Sequence, residues 1–489
     1  MSHLKIKLLF LIVLGSGWLI PAYAQRTTPP AKPNIIFIIA DDVSIDDIGC
    51  YGNPSVKTPN IDNLAKNGLR FTNVFVTSSS CSPSRTSILT GRYPHNTGAA
   101  ELHTALPSHL TFFPEQLKQQ GYYTAQLGKW HEGKETARAY DTVIAGEQKN
   151  GAGGEDLWND AIKNRPKNKP FFLWLSPFDA HRKWSADTFT ITHNPQTEVT
   201  VPATLIDDQQ TREDLASYYN EIGRLDYYIG SLLRTLSELG IEKNTIIIFM
   251  SDNARPFPGS KTRLNDRGTR TPFVLNWPAG ITKPGVINAL ISSIDIAPTL
   301  LQFAGVQPVP SIQGLSFAKL LKQPNAAFRN YIFAEHNWHD YEAYERSVRT
   351  RDYLYIYNGR PDFDNGGPID ANQSPSAFAL RSARKNTSLT LLQEDAFVQP
   401  RVKEEFYVIK TDSLQVKNLI HHPSLIPQIA KLKKLLKNWQ EQTGDTEPAH
   451  LTPDWYDRHT GNPLPEKDIR GEMPGASLKA DLINKKGPF

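Results

Sequence analysis

The run Asn34-Ile35-Ile36-Phe37-Ile38-Ile39-Ala40 decides the fold. Its apolar side chains do not alternate with polar ones, so a strand built from it has no face suited to water. That is the pattern of a strand buried on both faces of a parallel sheet. Runs of the same texture recur at Tyr122–Leu127, Phe171–Ser176, Thr245–Ser251 and Pro272–Trp277. Helical patterns lie between them. The clearest runs from Thr211 to Leu239, with Leu215, Tyr219, Ile222, Asp226, Ile229, Leu233 and Leu236 at helical spacing. Thr211 and Asp214 are spaced for a capping box, and Gly240 for a C-terminal stop. Strands alternating with helices predict an α/β sandwich.

Past about Asp340 the texture changes. Arg346–Asn358 and Glu404–Lys410 alternate like half-exposed antiparallel strands, and residues 361–376, rich in Pro, Gly, Asn and Asp, read as a loop. Ile426–Thr443 reads as a basic amphipathic helix covering this second sheet, and the polar tail from Asp445 as a surface wrap. The α/β domain is thus expected over 25–340 and a C-terminal subdomain over 341–489. Residues 1–24 read as a secretory signal, with Lys5 and Lys7, an apolar stretch from Leu8 to Leu14, and Ala22-Tyr23-Ala24 as cleavage site. The apolar stretch is too short for a comfortable membrane span. The expectation is an exported protein, periplasmic or secreted, of bacterial type, with no stable membrane insertion.

Composition sets further bounds. The 489 residues are 39% hydrophobic and 21% charged, ordinary values for a globular chain long enough for a large core. The formal charge is +4, and two of those positives sit in the leader. A nearly neutral mature chain argues against a nucleic-acid coat or a polybasic anchor. With two cysteines, Cys50 and Cys81, it does not depend on a disulfide framework.

Ligands in open α/β sheets bind beyond the carboxyl ends of the strands, and here those ends carry chemistry. The first strand runs into Asp41-Asp42, and the Thr245 strand into Asp252-Asn253. These are hard oxygen donors suited to Ca2+ or Mg2+. Taken singly, Asp-Asp after a strand is also a common helix cap, and Ser-Asp-Asn a common turn. Cys81-Ser82-Pro83-Ser84-Arg85 looks like a helix entrance, with Ser82 as N-cap and Pro83 at the first helical position. Arg85 then lies in the first turn, beside a helix end that favours anions. A buried, inert cysteine before an ordinary helix is the competing reading.

That C-x-P-S-R run, followed by Thr90-Gly91-Arg92, resembles the signature of the type I sulfatases. The resemblance implies that Cys81 is oxidised after translation to formylglycine (3-oxoalanine) by a formylglycine-generating or anaerobic sulfatase-maturating enzyme. It implies that Asp41, Asp42, Asp252 and Asn253 hold one Ca2+ beside residue 81, which itself joins the metal site. Gly128-Lys129-Trp130-His131 resembles the family's G-K-W-H, and Asp179-Ala180-His181 its x-P-H element, with Ala180 in place of the usual proline. Lys261 stands near the family's lysine ahead of G-x-R-x-P, here Gly268 to Pro272. Carried over, Arg85, Lys129 and Lys261 bind sulfate, His131 assists the formylglycine hydrate, and His181 protonates the leaving group. One hydroxyl of that hydrate would attack sulfur, and deprotonation of the second would expel the sulfate. Singly, the lysines read equally well as solvated charges and the histidines as core or rim residues. The resemblance runs from Asn34 to the helix near Trp439. It implies an alkaline-phosphatase-like α/β/α sandwich with a large mixed, mostly parallel sheet, plus a smaller C-terminal α+β subdomain with an antiparallel sheet.

Several details resemble the sulfamidase (N-sulfoglucosamine sulfohydrolase) branch: the Cys81 pentapeptide, Asp179-Ala180-His181-Arg182, Ser251-Asp252-Asn253 with Pro256-Phe257-Pro258, Arg346-Ser347-Val348-Arg349 and Glu405-Phe406-Tyr407. Lys261 stands where that branch tends to have arginine, and Ala254 where sulfatases usually have glycine. Lysine and arginine grip an oxyanion differently. The implied substrate is a sulfated glycan, N-sulfated glucosamine or an O-sulfated algal polysaccharide such as ulvan. A phosphonate or phosphate monoesterase of the same superfamily, or a sugar-binding protein without activity, are the rivals. Glu101, His103, Arg182 and His336, in loops after the core motifs, are candidate sugar contacts.

Overall fold

The computed structural model describes residues 32–148, 153–184, 192–365 and 367–488. The secretory signal read over residues 1–24 lies outside them. Lys32–Phe489 forms one compact unit. Its larger sheet has nine strands: β1 (Asn34–Ala40), β2 (Leu69–Phe75), β3 (Tyr123–Gly128), β4 (Thr142–Ala145), β5 (Phe171–Ser176), β6 (Thr245–Ser251), β7 (Arg270–Asn276), β8 (Gly285–Ile287) and β9 (Ile291–Ser292). They lie in the order β4-β3-β5-β1-β6-β7-β2-β8, with β9 also on β2. The successive strands β4, β3, β5, β1 and β6, from the edge inwards, are parallel, and β7 is antiparallel to both neighbours.

The apolar run that suggested a doubly covered strand is one. Ile35, Phe37 and Ile39 enter one core, with the helices Phe113–Gln119 and Ile296–Phe303. Ile36, Ile38 and Ala40 enter the other, beneath the long helix Gln209–Glu238. Alternate side chains of one strand therefore feed two separate cores, which makes the sheet the middle layer of a sandwich. On the first face Phe37 stacks on Trp174 of β5, ring centroids 4.9 Å apart.

The long helix starts earlier than the capping box suggested. Asp208 is the N-cap, its carboxylate accepting from the Thr211 backbone N–H at 2.8 Å. Asp214 is drawn instead into a buried pair with Arg182, which a carboxylate prefers to a weak cap. Gly240 takes the left-handed conformation, φ 66°, just beyond the helix.

A second, antiparallel sheet has the order β10 (Tyr331–His336), β11 (Glu345–Thr350), β12 (Tyr353–Asn358), β13 (Glu404–Val408). Its first strand precedes Asp340, since a strand buried along most of its length carries no alternation to mark it. The helix Ile426–Thr443 covers one face, setting Ile429, Leu432, Leu436 and Trp439 against Phe333, Val348 and Phe406. Residues 361–376, read as a loop, also contain a short turn of helix, Ile369–Asn372, and the start of the helix Pro375–Asn386.

Gly91 and Arg92 of the signature tie these layers together. Gly91 ends the helix Cys81–Thr90 at φ 64°, and a β-carbon there would lie 3.0 Å from Ile312 Cγ2 and 3.2 Å from Ala297 Cβ. Arg92 is buried and donates to the carbonyls of Asn96, Ser311, Asp481 and Ile483 and to Asn484 Oδ1. It pins the polar tail. Gly91→Ala combines left-handed strain with overpacking and is expected to cost about 1–3 kcal/mol. Thermal unfolding should show a lowered Tm with unchanged far-UV dichroism; an unchanged Tm would contradict this account.

Candidate active site

Three strands end at one place. The Asp41 backbone N–H donates to the Asp179 carbonyl at 2.8 Å, and the Ala180 N–H returns a bond to the Asp41 carbonyl at 2.6 Å, locking the loop after β5 onto the end of β1. The Asp252 N–H donates to the Ala40 carbonyl at 3.1 Å, locking the end of β6 on the other side. Arg224 of the long helix holds the β5 loop from behind, pairing with Glu155 at 2.5 Å and with Asp179. Because parallel strands present their carboxyl ends together, residues far apart in sequence converge there.

The helix Cys81–Thr90 enters at this point, and its start differs from the expected one. Ser80 is the N-cap and Cys81 the first helical residue. Ser82 is not free to cap, because its hydroxyl accepts the His103 backbone N–H at 2.9 Å. Cys81 is buried, with Sγ 3.6 Å from Asp41 Oδ1, 3.7 Å from Asp42 Oδ1, 3.4 Å from Asn253 Nδ2 and 3.3 Å from Lys261 Nζ. Burial pushes its thiol up, further than Lys129 and Lys261 pull it down, so the unmodified side chain is a poor nucleophile.

Every buried carboxylate around Cys81 is matched by a cation. Lys129 Nζ lies 2.5 Å from Asp41 Oδ2, Lys261 Nζ 2.7 Å from Asp42 Oδ1, and Arg85 Nε 2.6 Å from Asp252 Oδ2. Arg85 also donates to Ser176 at the end of β5. Burial opposes ionisation of Asp41, but Lys129, His181, Arg85 and Lys261 together hold it well below the usual carboxylate range. Burial pushes Asp252 up to about 6 against the pull of Arg85. A divalent cation at these oxygens would draw it down again. The donor set fits such an ion: three carboxylates and the amide of Asn253, whose Oδ1 is buried without a hydrogen-bond partner among the described residues. One oxygen from each of Asp41 and Asp42 and the Cys81 sulfur lie within 4.8 Å of one another. Oxygen donors of this kind suit Ca2+ or Mg2+.

The histidines frame the mouth. His131 Nε2 is 2.7 Å from His103 Nδ1. Burial, then Lys129, then His103 hold His131 well below its ordinary value, which keeps the imidazole neutral. His181 Nδ1 meets Gln148 Nε2 at 2.8 Å and the Arg182 carbonyl, so its other ring nitrogen remains for the pocket. A ring nitrogen of His181 groups within 4.8 Å with carboxylate oxygens of Asp42 and Asp370. Among the described residues, four other than glycine adopt left-handed backbone around the site, Asp42 (φ 62°), His103 (62°), Thr262 (71°) and Asp340 (64°). For a β-branched threonine that conformation is an outlier of the kind that gathers at functional sites.

The four candidate sugar contacts fall differently. His103 lies at the mouth, against His131. Arg182 is buried in a two-pronged pair with Asp214, at 2.7 and 2.9 Å, between the rings of Trp184 and Phe257. Glu101 is buried and holds the tail, accepting from Thr452 at 2.7 Å and Arg470 at 3.2 Å. His336 ends β10 beside a polar cavity of about 20 Å³, room for one water. The sequence reading passed over Asp370 and Gln148, and took Ser176, which Arg85 contacts, only as the last residue of the Phe171–Ser176 run.

A profile of the sulfatase family matches residues 33–306, more than half of the chain, and one of the N-sulphoglucosamine sulphohydrolase C-terminal region matches residues 260–378. The chain belongs to the sulfatase family, and is a hydrolase of sulfate esters or sulfamates. An ulvan-active sulfatase of Formosa agariphila is 28% identical over 469 residues, covering 85% of this chain and 76% of that protein. The N-sulphoglucosamine sulphohydrolase of Homo sapiens is 29% identical over 467 residues, covering 85% and 91%. A solved structure of a protein in complex with its substrate D-glucosamine-2-N,6-O-disulfate superposes with a TM-score of 0.64 at 21% identity, covering 84% of this chain and 98% of the other.

His336 gives the fold a pH signature. Burial, against the pull of Glu345, drops it from 6.5 to about 3. Between those values the unfolded chain binds a proton that the folded protein refuses, so stability is lost as pH falls from about 6.5 towards 3. At pH 5 the loss is about 2 kcal/mol relative to pH 7. His336→Asn should shrink the drop in Tm between pH 7 and pH 5; an undiminished drop would assign the acid sensitivity elsewhere.

Proposed function

We propose that the protein is an exported sulfatase that removes sulfate from a glycan, using a formylglycine made from Cys81 and one Ca2+ held by Asp41, Asp42, Asp252 and Asn253. The observation that carries this reading is the ring of groups around Cys81 Sγ: two carboxylates, an amide and an ammonium within 3.7 Å. A thiol held protonated by burial has little to do in such a ring, whereas an aldehyde hydrate on a hard cation suits it. When bound, the ion would supply Lewis acidity and lower the pKa of hydroxyls beside it.

The chain's own residues do the rest. Asp41, Asp42 and Asp252 cancel the charges of Lys129, Lys261 and Arg85, so a bound dication leaves the pocket net positive and receptive to a sulfate. Lys129 and Lys261 flank residue 81 and clamp the sulfate oxygens. His131, held neutral beside His103, assists the hydrate at residue 81. His181, tethered at Nδ1 and flanked by Asp42 and Asp370, protonates the leaving atom.

The substrate we favour is an N-sulfated glucosamine unit, on the match of residues 260–378 to the N-sulphoglucosamine sulphohydrolase C-terminal region. A second reading, an O-sulfated polysaccharide of ulvan type, is supported by the Formosa agariphila relatives and by Lys261 in place of arginine. Peptide mass spectrometry on protein co-expressed with a maturation enzyme should find residue 81 as the aldehyde. Cys81→Ser should lose at least about a thousandfold in turnover. Release of sulfate from N-sulfated heparin fragments and none from an aryl phosphate is the expected pattern; release from O-sulfated glycans alone would favour the second reading. Chelation followed by Ca2+ titration should raise Tm by several degrees as the ion binds the folded state. A Tm indifferent to Ca2+ would remove the metal from the proposal.

A further inference from the structure

Beyond Asp370 the surface opens into a cleft of about 650 Å³. Its main wall is the helix Pro375–Asn386, which presents Phe378, Arg381, Arg384 and Lys385, and the facing side carries Phe397 and His459. Phe378 is 50% exposed, unusual for a phenylalanine. The Arg381 guanidinium lies 4.8 Å from the Phe378 ring centroid and that of Arg384 4.7 Å from Phe397. Arg384 pairs with Glu394 at 3.1 Å, and both remain partly exposed. Arg381 and Lys385 make no ion pair among the described residues. Among the described residues the lining has one acid, Asp364, 3.7 Å from Arg458. Basic residues in the last turn of a helix are favoured by its dipole, which accounts for the sign of Arg384 and Lys385. It does not account for a roomy cleft lined by two aromatic rings and uncompensated cations.

The cleft shares a wall with the catalytic pocket. The helical turn Ile369–Asn372 carries Asp370, which groups with His181 and Asp42, and two residues later Asn372, which lines the cleft. Arg381 Nη2 donates to the Asn372 carbonyl at 2.6 Å. Two residues apart on one helical turn, Asp370 and Asn372 are directed to nearly opposite sides of it. We propose that this cleft is a subsite for the continuing, anionic part of a glycan chain whose terminal unit is in the sulfate pocket. Sugar faces would stack on Phe378 and Phe397, and sulfate or carboxylate groups would meet Arg381, Arg384 and Lys385. The assignment rests on the glycan sulfatase reading above and extends it from one sugar unit to a chain.

Phe378→Ala and Lys385→Glu test it at two exposed side chains remote from the chemistry. With mature enzyme, each should raise KM for an N-sulfated heparin tetrasaccharide roughly tenfold, about 1.4 kcal/mol, at unchanged kcat. The N-sulfated monosaccharide should keep kcat/KM within about twofold, because it cannot reach the cleft. The tetrasaccharide advantage of the parent enzyme should also shrink as salt rises. A binding measurement separates this proposal from the catalytic one. Calorimetry with the tetrasaccharide and the Cys81→Ser protein should show the same loss on adding either cleft substitution, whether or not the parent turns the sugar over. Equal losses on both sugars, unchanged tetrasaccharide binding, or tighter binding of an oligonucleotide of equal charge would overturn the assignment.

Discussion

The structure turns on three buried ion pairs, Lys129 with Asp41, Lys261 with Asp42 and Arg85 with Asp252. None of the six groups could sit in this interior alone, since an unpaired buried charge costs several kcal/mol or more. The pairs link the ends of β1, β3 and β6 to the Cys81 helix and the segment after β6. Disturbing any one would strand a charge in the middle of the site. Replacing such pairs with apolar residues commonly stabilises a protein, so their presence speaks for function more than for stability.

The rest of the molecule keeps that cluster dry and in place. The two cores on either face of the larger sheet exclude water from the strand ends, and Arg224 clamps the loop bearing His181. The second sheet carries buried Glu345 and His336, and the tail is fastened to the body of the protein through Arg92 and Glu101. A tail that reads as polar surface wrap is therefore fastened by buried arginine and glutamate side chains. It belongs to the architecture of the site's surroundings.

Much of this was legible beforehand. β1, β5 and β6 and the helix Ile426–Thr443 have the limits their patterns suggest, because long apolar or strongly periodic segments leave little choice. Polar, glycine-rich and proline-rich stretches are less determined by themselves. The helix Pro375–Asn386 starts in such a stretch, where packing against the long helix supplies what local propensity lacks, and the short turn with Asp370 packs on Pro375–Asn386. The helix at Cys81 begins at that residue because the Ser82 hydroxyl is spent on the His103 loop, a contact 21 residues away.

The sequence alone determined the layer order and the chemical types at the strand ends: carboxylates, cations, histidines and one cysteine in a recognisable order. Apolar periodicity is local, and motif residues announce themselves by type. Only the tertiary structure decided how those groups pair, which of them are withdrawn into structural work, as Glu101 and Arg182 are, and which unheralded ones join, as Asp370 does. Pairing depends on distances between chain segments that no local pattern encodes. The low dielectric of the closed site then turns those distances into large differences in charge state.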